Sequence, residues 1–253
     1  MDTNRVKILS VIPMRTQVVF PDTTVAFDVG RGLSLAAVER ADGNDKYVFV
    51  TRQTDAQKEF PEGEDLCTVG TVCVIRQATR LPGERVRVFV AGQYRAAARG
   101  FRLENGYIYA VTEELLPVHG DPTLEEAYFR TAKELVKEIL GSETKVAKEL
   151  EAALTGVADP DAYINICAHH LHLRDVVKQE LLEETVLVRR LRLFEQCRTR
   201  RWRSASSSAR SRRTSAATSK NRRRNISCAN SSKLFMRSSA TTSRRMNASV
   251  NRS

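Results

Sequence analysis

The chain is sparing with several residue types, and each scarcity removes a class of explanation. From residue 198 to the end Trp202 and Phe235 are the only aromatics, so a base-stacking nucleic-acid arm is weakly supported there. No apolar run approaches the roughly 20 residues that a membrane-spanning helix requires. The opening stretch, MDTNRVKILSVIPMRTQ, carries an apolar patch too short and interrupted for a signal peptide. The five cysteines (Cys67, Cys73, Cys167, Cys197 and Cys228) form no Cys-x-x-Cys pair. An odd, scattered set suits a reducing compartment, and a cytoplasmic protein is expected. Acidic residues are absent from Arg198 to the end, where 14 Arg and 2 Lys stand alone.

That last absence governs the charge. The formal net charge is +11, yet 16 of the 41 basic residues lie in the tail. The preceding residues keep 25 basic against 30 acidic groups, a net of −5. A basic protein would point to nucleic acid, but here that inference would rest on the tail alone. Nucleic acid is therefore not expected as a partner of the body, and neither is a membrane.

Residues 1 to 117 read as a β-rich unit. VKILSVI, VVF (18 to 20), TVAFDV, KYVFVTR, TVGTVCVIRQATR, RVRVFVAG and YIYAVTEEL are short and rich in Val, Ile and Phe. In RVRVFV the alternation places Val86, Val88 and Val90 on one face and Arg85, Arg87 and Phe89 on the other. Pro82-Gly83 predicts a hairpin turn. RGLSLAAVERA spaces Leu33, Ala36, Ala37 and Ala41 as a helix, with VGRG as the turn into it. A small closed or half-closed barrel with one helix is expected.

Beyond Pro117 the apolar period changes from 2 to 3.6, so residues 118 to 197 are expected as a helical bundle. Thr123 and Glu126 have capping-box spacing, and Leu124, Tyr128, Ala132, Leu135 and Ile139 form a stripe. Ser142 is the expected N-cap of a second helix. Asp159 with Pro160 opens a third. The fold class is thus α+β: a barrel, a bundle, and a tail (198 to 253) too poor in apolar residues to order itself.

Chemistry-bearing patterns are few. His169 and His172 could share a helix face, but two ligands do not make a zinc site, and a partly exposed face is the expectation. GxxxxGK[ST] and Gly-x-Ser-x-Gly are both missing. No catalytic, cofactor-binding or metal-binding residue is assigned, which favours a binding role.

Two segments carry a family likeness. Pro13-Met14-Arg15, Phe20-Pro21, Val29-Gly30-Arg31, Ser34 and Ala37 occur in order near the start. Asp65-Leu66, Val69-Gly70-Thr71, Leu81-Pro82-Gly83, Gly92 and Arg95-Ala96 follow. Together with the Asp159-Pro160 helix and Gln179-Glu180-Leu181-Leu182-Glu183, they resemble the N-terminal domain of Lon, the ATP-dependent serine protease, over roughly residues 7 to 196. Met14 stands where the family usually has Leu, and Ala26 lies near a usual Pro.

The resemblance implies a PUA-like pseudo-barrel followed by a helical bundle, a domain that captures unfolded or tagged polypeptides and helps assemble a homo-hexamer. It implies no chemistry in this chain: ATP and Mg belong to an ATPase module, and peptide hydrolysis to a Ser-Lys module, neither of which is present here. A monomer or weak oligomer is expected of the piece alone. Pro13, Arg15, Phe20, Pro21, Gly30, Arg31, Gly70 and Gly92 are expected to be structural, with Met14 and Phe20 as candidate substrate contacts. The alternative is a stand-alone protein-binding adaptor with the same domain.

The tail bears on the same identity. A one-base slip converts Glu codons into Ser, Arg, Asn and Lys codons, turning a charged helix into an acid-free tail. Reading NISCANSSKLFMRSSATTS back through the code permits Tyr-Ile-Leu-Arg-Glu-Gln-Leu-Lys-Ala-Ile-His-Glu-Glu-Leu-Gly-Asp-Asp-Glu. That path resembles Lon's long helix, so an out-of-frame tail beginning near Leu193 to Arg198 is expected.

Overall fold

The computed structural model describes residues 6–43, 45–141 and 145–197. The expectations of an out-of-frame, disordered tail (198 to 253) and of a Ser142 cap, and the side chain of Ile139, lie outside the described residues.

β-Branched and aromatic residues at alternating positions set the strands. These are β1 (Val6–Met14), β2 (Thr24–Val29), β3 (Tyr47–Arg52), β4 (Val69–Leu81), β5 (Arg85–Glu104) and β6 (Tyr107–Glu114). Helix α1 (Gly32–Asp42) crosses from β2 to β3, which lets β1 and β3 run parallel. The sheet order is β2-β5-β4-β3-β1-β6, and β5 also pairs with β6. That extra pairing closes a ring of five strands. It is possible because β5 spans 20 residues: its first half pairs with β2 and its second half with β6. A bulge between Ala98 and Phe101 bends the strand between these partners.

Alternation sends neighbouring side chains to opposite faces of the ring. Val11, Phe49, Val72, Ala96 and Ala110 form one buried cluster. Ile12, Val48, Val50, Cys73 and Val90 form another, with Ala37 and Val38 of α1 and Val25 and Val29 of β2. Val88 and Val90 are buried while Arg85 and Arg87 are exposed, as the RVRVFV alternation predicts. The Pro82-Gly83-Glu84 turn has Gly83 at φ +79°, the left-handed conformation glycine tolerates best.

Helices α2 (Pro122–Leu140), α3 (Lys145–Leu154), α4 (Pro160–His170), α5 (Asp175–Glu183) and α6 (residues 187–197) make the second layer. Their apolar faces bury Phe129, Ala132, Val136, Leu150, Ile164 and Leu187. Asp159 caps α4: its carboxylate accepts the Ala162 N–H at 2.9 Å, with Pro160 in the first turn. The linker joins the bundle through Val118, whose N–H donates to the Thr185 carbonyl.

Three sequence expectations differ from the structure. VVF (18 to 20) is not a strand but a buried irregular segment. Two of its carbonyls accept side-chain bonds, Thr71 Oγ1 donating to Val19 O at 2.6 Å and Thr23 Oγ1 to Phe20 O at 2.7 Å. The α2 cap is Asp121 rather than Thr123, because the Asp121 carboxylate accepts the Thr123 N–H at 2.9 Å and Pro122 fits the first turn. Leu124 is 49% exposed, and Phe129 and Val136 take the inward positions instead.

Candidate substrate-contact cleft

The end of β1 and the β2–α1 turn face each other across a cleft of about 350 Å³. Among its lining residues are Pro13, Met14, Arg15, Phe27, Gly30 and Arg31. Five of these six come from the two short motifs Pro-Met-Arg and Gly-Arg, which are separated in sequence but meet here. Met14 and Phe27 are half-buried and pack against the cluster beneath α1. They give the cleft an apolar wall.

Arg31 holds the cleft together. Its Nη1 donates to Gln53 Oε1 at 2.8 Å, and its Nη2 donates to the Pro13 carbonyl. Gln53 is fully buried, and its N–H donates to Met14 O at 2.7 Å. Burial, followed by the charge of the adjacent Arg15, lowers the Arg31 guanidinium pKa below its ordinary value. Arg15 itself is exposed and has no ion-pair partner among the described residues. Asp28 on the rim is tied to Arg87 by two hydrogen bonds of 2.7 and 3.0 Å, which hold its carboxyl below the usual range. Arg85 lies beside Gly30, where an added Cβ would come within 3.1 Å of the arginine Cγ. The cleft therefore combines an apolar wall with a cationic rim.

The remaining motif residues serve packing. Phe20 is fully buried in the helical cluster, so its side chain is not presented to a ligand in this conformation. Pro21 is buried beside it. Gly92 allows the Phe20 carbonyl to approach, since a Cβ there would lie 2.2 Å from that oxygen. Gly70 lies against Val50 O and the Phe49 ring, at 2.5 and 2.8 Å from an added Cβ.

Sequence reasoning missed a buried ionic cluster between the sheet and the helices. Arg95 on β5 donates to both oxygens of Asp161 on α4, at 3.1 and 3.0 Å, and to Asn165 Oδ1. Arg190 on α6 pairs with the same carboxylate and is fully buried. Burial, reinforced by the Arg95 charge, lowers the Arg190 pKa to about 10. Arg190 is written in the sequence as part of VRRLR, where a charged pair reads as solvated surface. Only tertiary packing distinguishes it from Arg189, which is exposed.

The histidines do not form the face their spacing predicts. α4 ends at His170, so His172 lies beyond the helix and is exposed. Burial, with the nearby His170 and Lys178 charges, lowers the His169 pKa to about 4. Among the described residues, no three His, Cys, Asp or Glu side chains cluster as a metal site. No described helix is long and apolar enough to cross a membrane.

Solved structures share this barrel-and-bundle arrangement. The N-terminal domain of a Mycobacterium avium complex Lon protease matches with a TM-score of 0.63, covering 76% of this chain and 97% of that one at 19% identity. A Lon N-terminal domain protein from Xanthomonas campestris matches with a TM-score of 0.50, covering 74% and 95% at 17% identity. Identities this low define the class of fold. The sequence then fixes the family: residues 8–196 match the ATP-dependent protease La (LON) substrate-binding domain, and the chain belongs to that family.

Curated relatives agree. The Lon protease of Clostridioides difficile is 34% identical over 202 residues, covering 77% of this chain and 26% of that protein. The Lawsonia intracellularis Lon protease is 33% identical over 187 residues, covering 73% and 22%. The chain spans about a quarter of the length of these curated relatives.

Proposed function

We propose that this chain is a polypeptide-recognition domain that holds unfolded or tagged segments in the cleft between β1 and the β2–α1 turn. The observation that carries this reading is the meeting of Met14, Arg15 and Phe27 in one open cleft of a chain whose family is a substrate-binding domain. An apolar wall with a few placed charges suits side chains that folded proteins bury and unfolded ones expose. The domain performs no chemistry itself. ATP, Mg and peptide hydrolysis belong to other modules of the assembled enzyme, a homo-hexamer in this family. Alone, the chain is a monomer or weak oligomer in the cytoplasm. Residues 1–117 and 118–197 act as two subdomains locked by the Arg95–Asp161–Arg190 cluster, and Pro13, Gly30 and Arg31 shape the cleft while Phe20, Pro21, Gly70 and Gly92 support it.

The test is titration of reduced, carbamidomethylated α-lactalbumin, a permanently unfolded chain, into the protein and two variants. Met14→Asp and the exposed Arg15→Glu are each expected to weaken binding about tenfold or more, with unchanged circular dichroism. Unaltered affinity in both folded variants would show that the cleft does not hold the polypeptide.

A further inference from the structure

β2 differs from every other strand of the sheet. Among the described residues, each of the others is paired on both sides, while β2 pairs with β5 alone. Its second edge runs beside the cleft, which Phe27, Asp28 and Val29 help to line. Among the described residues, no side chain or backbone group other than β5 bonds the main chain of residues 24–29. A strand edge of this kind presents alternate N–H and C=O groups to any extended chain.

The usual protections are also missing. Proteins blunt free edges with lysine, proline or bulges, yet β2 reads Thr-Val-Ala-Phe-Asp-Val, and its pairing with β5 is regular. Its exposed side chains Thr24 and Ala26 are small and uncharged, and the Asp28 charge is held by Arg87. What remains beside the edge is cationic, from Arg15 on the rim of the cleft.

We propose that an extended segment of the captured polypeptide adds to β2 as a further strand, seating an apolar side chain against Met14 and Phe27 and an acidic side chain near Arg15. This rests on the recognition reading above and specifies its mode. Main-chain pairing would supply affinity independent of sequence, which a receptor for many unfolded chains requires. The cleft would add a preference for apolar residues alternating with Glu or Asp.

Two synthetic six-residue peptides test it, matched in length to β2 and alternating Val or Leu with Glu. One has a natural backbone; the other is N-methylated at alternate residues, with the same side chains and no pairing edge. Binding to the full chain is measured by titration, and exchange of the residue 24–29 amides by hydrogen-exchange NMR. Strand addition predicts that the natural peptide binds about tenfold or more tightly than the methylated one, through the lost hydrogen bonds. It also predicts slowed exchange at alternate β2 amides. Equal binding of both peptides would overturn strand addition while leaving the recognition reading standing. The same holds if neither peptide binds but unfolded α-lactalbumin does. Loss of all three interactions would overturn both. Protection of the β2 amides without peptide, accompanied by dimers in sedimentation, would assign the edge to a second copy of the chain and also overturn the proposal.

Discussion

A methyl group on Gly92 would have nowhere to go. Its Cβ would lie 2.2 Å from the Phe20 carbonyl oxygen and 3.3 Å from Pro21 Cα, both parts of the backbone. Gly92→Ala must therefore push the 18–23 segment away from β5, breaking the bonds between Gly92 N–H and Thr23 O and between Asp22 N–H and Gly92 O. The expected cost is about 1–3 kcal/mol, the range for overpacking a core, read as a lower urea midpoint. An unchanged midpoint would show that the segment yields freely. The sequence signals such residues unevenly. Gly83 and Asp159 announce themselves, because a hairpin turn and an Asp-Pro helix start have local chemistry. Phe20 and Arg190 do not: one lies in a segment that resembles a strand, the other on a helix where arginine ordinarily meets water. Their positions are set by contacts far away in the chain.

Element boundaries follow local chemistry where caps and turns decide them. Two helices here open with Asp-Pro, at Asp121-Pro122 and Asp159-Pro160. In the first, Glu125 adds a bond from the Gly120 N–H at 2.6 Å, so the Thr123–Glu126 spacing is left without the role it predicts. Asp121→Ala is expected to lower stability by about 1 kcal/mol, as loss of an N-cap does, while Thr123→Ala changes little. Denaturant titrations giving the reverse order would restore Thr123 as the cap. β5 shows the opposite limit. Its second half, GQYRAAARGFRLE, is rich in Ala and Arg and has little intrinsic strand preference. It is a strand because β4 supplies partners up to Ala97 and β6 from Ala96 onward. Pairing partners are a property of the sheet, and a single segment does not reveal them.

At the scale of the molecule, the change of apolar period near Pro117 was enough to predict a barrel followed by a bundle. A closed or half-closed barrel is expected from the strands, but which strands close the ring is not legible, because it depends on one long bent strand serving three neighbours. The cleft was half legible: the Pro-Met-Arg and Gly-Arg motifs mark its walls, yet only the fold brings them together and adds Phe27. The ionic cluster of Arg95, Asp161 and Arg190 was not legible, since its members are 66 residues apart across the first pair and lie on different layers. A cleft of the kind proposed would let the chain distinguish unfolded from folded polypeptide. The most direct measurement is calorimetric titration of the full chain with α-lactalbumin in its native form and in its reduced, carbamidomethylated form. The two forms share one sequence and the same ionisable carboxylates and amines, so attraction to a basic tail would act on both. Recognition by the cleft predicts binding of the unfolded form and none of the native form. Equal binding of the two forms, or binding of neither, would overturn recognition of unfolded chains by the cleft.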